Sequence, residues 1–182
     1  MMHMVGYFAK SSAIPPDWSG PRLADLCSVS TCLGRAPDGW FECWKHNELG
    51  FFNTIVDARS VLPSDSRVFV MFAYRLLGQR FVAGRHEVLE VPVLPVELLP
   101  PGFTTLGFDV VNKSQPCAFF ECSPLSCNDL AKLYKVNRYC LLSTLAEAMV
   151  IAERFSREEP EPGPYYVFEV FREHGVRASA EA

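Results

Sequence analysis

No run of three Lys or Arg residues occurs in this 182-residue chain, so the basic stripe with which proteins neutralise nucleic-acid phosphates is missing. DNA and RNA are therefore not expected partners. Also missing is any apolar stretch near the roughly 20 residues that cross a bilayer, and Met1 to Gly20 lacks the charged and continuously apolar regions of a secretory signal. Neither membrane insertion nor export is expected. Glycine-rich phosphate loops (GxGxxG, GxxxxGK) are absent, as are HExxH, GxSxG and EF-hand patterns, so no cofactor is expected and the common routes of nucleotide chemistry are not indicated. The seven cysteines do not make an even set, whereas a secreted disulfide framework normally pairs all of its members. They are expected to be thiols in a reducing cytoplasm.

What is present has the proportions of a globular protein: 49% hydrophobic, 21% charged and 13% aromatic residues. At this length about two thirds of the unfolded surface can be buried in one core. Basic and acidic residues balance at nine each over positions 1–90, then stand at eight against twelve over 91–182, so the net charge of −4 is C-terminal.

Along the chain, residues 4–9 read as a short strand that stops before Pro15 and Pro16. A helix is expected near Pro21 to Cys27, with Pro21 in its first turn. Thr54 and Asp57 have the spacing of a helix cap, and residues 68–74 are apolar on both alternating faces, as a strand covered on both sides would be. Prolines 92, 95, 100 and 101 make that stretch a connector or an edge. Residues 103–111 and 117–122 suggest two strands joined by a hairpin loop. After them a short helix at 126–134, a strand at 138–142, a longer helix from Leu145 to about Ser156 and a strand at 165–172 are expected. The acidic, proline-rich turn at 157–164 belongs on the surface.

One signal of organisation repeats at an offset of 90 residues: Asn47, Thr54 and Ala58 recur as Asn137, Thr144 and Ala148, with two bulky apolar residues before each polar cap. Two similar strand–helix–strand halves, around 40–77 and 118–173, would produce that echo, and so would the chance recurrence of a good cap. The tripeptide Phe-Glu-Cys lies upstream of both copies, at 41–43 and 120–122. The fold class expected is α+β: residues 1–174 as one domain with a mixed, largely antiparallel sheet and a few short helices, and 175–182 as a flexible tail.

Several clusters have residue types that can do chemistry. Cys27, Cys32, Cys43 and His46 place four zinc-type ligands within twenty residues of little regular structure. Cys117, Cys122 and Cys127 form a second series, with Cys127 expected near a helix start that would favour its thiolate, and Ser126 as the cap. Packing is the simpler account of each cysteine, as a small buried hydrophobe, so no metal ligand and no catalytic residue are assigned. Trp40, Trp44, His46 and Asn47 suggest a polar pair on the rim of an aromatic pocket, although Asn47 alone would also explain a turn into Phe51. Glu169, in an apolar strand, is either an acid in a cleft or the exposed position of an edge strand, and the edge is preferred. The binding residues expected are Trp40, Trp44, His46, Asn47, Cys122, Cys127 and Asn128. They suit a non-enzymatic module that binds another protein, such as an inhibitor or immunity-type partner. The alternatives are an enzyme using Cys127, His46 or Glu169, and a zinc-stabilised interaction module.

Overall fold

The computed structural model describes residues 1–11, 14–30, 32, 34–40, 45–64, 68–92, 95–113, 120 and 122–174. Cys43, Trp44, Cys117 and the tail at 175–182 lie outside the described residues. Among the described residues five strands form a single sheet: β1 (Met2–Ser11), β2 (Phe69–Val82), β3 (Arg85–Val88), β4 (Phe103–Asn112) and β5 (Tyr165–Glu173). The main path runs β1-β2-β5-β4, with β3 paired to one end of β2. The fold is α+β as expected, and among the described residues every ladder is antiparallel, so the sheet is not the mixed one expected.

Alternation in β2 and β5 explains why both lie inside the sheet. Across their ladder Tyr74 opposes Val170 and Leu76 opposes Phe168, which places these four on one face, while Ala73 opposes Phe171 on the other. All six are buried, and an apolar strand on both faces needs cover on both. On the second face, helix α3 (Leu145–Glu158) packs Ala148, Ala152 and Phe155 against Phe81, Val110, Tyr165 and Val167. Thr144 and Glu147 close a full capping box at its start. The short helix α1 (Ile55–Ser60) is capped by Thr54, and its Arg59 pairs with Glu173 at the end of β5. No helix of the described residues is long and apolar enough to cross a membrane.

The first face is covered by irregular chain. Cys27, Val29, Trp40 and Phe120 join Phe72, Tyr74 and Phe168 in the larger core. The helix expected at 21–27 does not form; its backbone N–H groups turn outward instead, Ala24 and Cys27 donating to the carbonyls of Arg138 and Tyr139. The strand expected at 138–142 is likewise a loop with a single bridge, Phe108 to Leu142. Most of the second arm of the hairpin expected after β4, at 117–122, lies outside the described residues; Phe120 and Cys122, which are described, are in no strand. The helix expected at 126–134 splits into α2 (Pro124–Cys127) and a 3-10 turn at Leu130–Lys132.

Two loops at opposite sheet edges are built alike. Asn47 Nδ2 donates to Val5 O in β1 and its Oδ1 accepts from Leu49 N and Phe51 N. Asn137 Nδ2 donates to Leu106 O in β4 and its Oδ1 accepts from Tyr139 N and Leu141 N. Each loop then bridges its strand by two backbone bonds, Tyr7 with Phe52 and Phe108 with Leu142. Beside each bridge the strand bulges at a glycine of positive φ, Gly6 at 133° and Gly107 at 142°. A Cβ there would stand 2.5 Å from Phe52 O or 2.6 Å from Leu142 O, so a side chain would push the loop off.

Candidate functional site

Asp109 is the residue from which the site is built. It sits on β4 opposite Phe168, wholly buried on the face covered by irregular chain. A carboxylate in that position requires donors on every side, and it has four. Oδ2 accepts from Ser28 Oγ at 2.7 Å and Val29 N at 2.8 Å; Oδ1 accepts from Ser123 Oγ at 2.7 Å and Val110 N at 2.9 Å. Burial is the largest influence and leaves its pKa raised, although the bonds from Ser123, Ser28 and Val29 and the nearby Lys10 ammonium pull it down. Four donors and a cation fit the ionised form, which accepts only.

Lys10, at the end of β1, is buried beside it and donates to the carbonyls of Ser28 and Ser30. Its burial lowers the pKa from 10.5 to about 8, against the pull of Asp109 and of the thiols of Cys27 and Cys127. Asp109 and Lys10 thus fasten the same stretch, residues 28–30, from its side chains and from its carbonyls.

That stretch continues into a group of sulfur atoms. Ser28 Oγ accepts from Ser30 N, and Ser30 Oγ accepts from Cys32 N at 3.1 Å and lies 3.4 Å from Cys127 Sγ. Ser123, held by Asp109, caps α2, and its carbonyl accepts from Cys127 N at 2.7 Å. Asn112, three residues beyond Asp109, binds Cys122 from both sides: its Oδ1 accepts from Cys122 N and its own N–H donates to Cys122 O. The sulfur atoms of Cys32, Cys122 and Cys127 consequently all lie within 4.8 Å of one another, with Cys32 and Cys122 at 3.2 Å. Cys32 is exposed and the other two are half-buried. A tetrahedral zinc with Zn–S bonds of about 2.3 Å sets its sulfurs roughly 3.8 Å apart, a spacing this group reaches by small side-chain rotations.

The structure therefore joins one cysteine from each series noticed in the sequence, and adds a second from the later one. Cys27 and His46 are not members of this group. Cys27 is buried in the larger core, where desolvation raises its pKa to about 12. His46 lies 5.2 Å from the Trp40 ring and 4.6 Å from Phe52, and burial lowers its pKa. Trp40, His46 and Asn47 thus gather at the β1 edge as an aromatic packing unit and a turn. Cys122, Cys127 and Asn128 gather at the sulfur group, where Asn128 Nδ2 donates to Glu161 Oε1 at 2.6 Å. Cys127 is the last residue of α2 rather than near its start, the cap is Ser123 rather than Ser126, and burial raises the thiol's pKa. Glu169 lies on an interior strand, its side chain only 16% exposed, held by Arg75 and by Thr105 Oγ1 at 2.9 Å. The edge position preferred from the sequence is not where the fold puts it.

Asp109, Lys10, Asn112 and the serines went unnoticed in the sequence. A signal for Asp109 was present, since it interrupts an apolar strand at Phe108, Val110 and Val111. A scan against protein-family models and searches of curated proteins and solved structures find nothing that matches this chain.

Proposed function

We propose that the chain is a metal-stabilised, non-enzymatic interaction module in which Cys32, Cys122 and Cys127 hold a thiophilic cation such as Zn2+. The convergence of three sulfur atoms from segments 90 residues apart is the observation that carries this reading. Thiolates are soft donors that select Zn2+ or Cu+ over Mg2+ and Ca2+. The position is one where a metal serves the fold, because it ties two irregular segments to each other above the sheet. The buried charged groups at this face, Lys10 and Asp109, are 3% and 0% exposed, which favours a structural over a chemical role for them. The output we assign is recognition of another protein.

Elemental analysis of protein purified without chelator tests the metal. One zinc per chain is expected, falling toward zero in Cys32→Ser, Cys122→Ser and Cys127→Ser and unchanged in Cys140→Ser. Zinc content equal in all four variants would refute it. For the output, a protein partner captured by the zinc form and released by a chelator is expected, and equal capture with and without metal would separate recognition from the site.

The matching bonds of Asn47 and Asn137 support a second proposal, that the β1-α1-β2 and β4-α3-β5 halves descend from one duplicated unit. Co-expressed fragments ending and starting within the proline-rich connector at 89–102 should reassemble, and failure to do so would count against two independently built halves.

A further inference from the structure

The three sulfurs of the group differ in their surroundings. Cys32 Sγ is exposed and lies 3.2 Å from Cys122 Sγ, whereas Cys127 is held back by Ser30 Oγ at 3.4 Å. A disulfide bond is about 2.05 Å long, so a closing movement on the order of 1 Å converts contact into bond. Backbone anchors steady both partners: Cys32 N bonds to Ser30 Oγ and Cys122 N bonds to Asn112 Oδ1 at 2.7 Å.

From this geometry we infer that Cys32 and Cys122 form an oxidative modification site, closing to a disulfide with a peroxide-class oxidant and thereby dismantling the cation site. The Cys32 sulfur attacks one peroxide oxygen, the O–O bond breaks, and Cys32 becomes a sulfenic acid while the other oxygen leaves as water with the thiol's proton. The Cys122 sulfur then attacks the Cys32 sulfur, the S–O bond breaks, and a second water leaves with the Cys122 proton. Two sulfurs lose two electrons in total and the peroxide gains them. Cys127 remains as a thiol, and one thiolate in place of three no longer defines a site. The inference extends the proposed metal site, but the covalent step needs no metal, so the two fail separately.

The test treats reduced, chelated protein with one equivalent of hydrogen peroxide and follows intact mass, a peptide map and zinc uptake. Expected are the loss of two hydrogen atoms, one crosslinked peptide joining Cys32 to Cys122, and a zinc affinity lowered by more than about 100-fold, since losing outer-shell partners alone costs 10- to 100-fold. Dithiothreitol should restore both. Cys32→Ser and Cys122→Ser should abolish the crosslink, and Cys140→Ser should leave it intact. A crosslink through any other cysteine, a sulfinic acid at Cys32 without a crosslink, or undiminished zinc uptake after crosslinking of a protein that binds zinc when reduced would overturn the inference. A reduced protein that takes up no zinc yet forms the Cys32–Cys122 crosslink would sink the proposed function and leave the modification site standing.

Discussion

Replacing Asp109 by alanine should be the most damaging single change at the site, and its size follows from the bonds it removes. The carboxylate is 0% exposed and accepts from two hydroxyls and two backbone N–H groups at 2.7–2.9 Å. Ser28 and Ser123 can rotate their hydroxyls toward other acceptors, but the N–H of Val29 is fixed, and a buried donor without an acceptor costs about 1–3 kcal/mol. The N–H of Val110 is left in the same state, a second cost of about 1–3 kcal/mol, and Lys10 loses the nearby charge that favours its ammonium. A net loss of about 3–5 kcal/mol is therefore expected in urea unfolding at pH 7, a large part of the ~5–15 kcal/mol by which domains are stable. Asp109→Asn preserves the volume and separates charge from packing; it should fall between the wild type and the alanine variant. Because the same carboxylate fixes residues 28–30 and Ser123, zinc affinity should drop by about 10- to 100-fold in the Asn variant. A loss below about 1 kcal/mol together with unchanged zinc affinity would show that Asp109 does not organise the thiols.

Lys10 gives a pH signature. With a folded pKa near 8 against 10.5 unfolded, the unfolded chain holds the extra proton between those values, so stability rises with pH there and is lost as pH falls through 8. The wild-type unfolding free energy minus that of Lys10→Met should rise by about 3 kcal/mol between pH 7 and 10.5; a flat difference would contradict the buried ammonium. At the bulges, Gly6→Ala and Gly107→Ala should each cost more than about 1 kcal/mol, because the new Cβ meets a loop carbonyl and φ is positive. Gly39→Ala, with nothing within 4 Å of its Cβ, is the matched control. Equal melting temperatures for all three would show that the loops do not dock as described.

The elements legible in the sequence are those whose local and tertiary demands agree. The apolar runs at 69–74 and 165–171 became interior strands, and Thr144 with Glu147 marked the start of α3. Residues 138–142 were misread because bulky apolar side chains signal burial without specifying a ladder. In the loop Leu141 and Leu142 are buried by docking on β4, with Asn137 satisfying the backbone that a strand would have satisfied. Residues 21–27 have a proline suited to a helix start, yet their N–H groups are taken by the carbonyls of the Asn137 loop. The sulfur group was half visible. Cysteines stood out, but the pairing of Cys32 with Cys122 spans 90 residues and depends on Asp109, whose partners come from three separate segments. No local pattern encodes such a meeting.

Zinc-edge X-ray absorption on the reduced protein, loaded with one equivalent of zinc, addresses the sulfur site most directly. Three sulfur neighbours at about 2.3 Å are expected, with one lighter atom completing the shell, and no three-sulfur shell in the Cys32→Ser variant, which loses the metal. A shell made only of nitrogen and oxygen, or three sulfurs that persist in that variant, would place the metal elsewhere and contradict a site built by Cys32, Cys122 and Cys127.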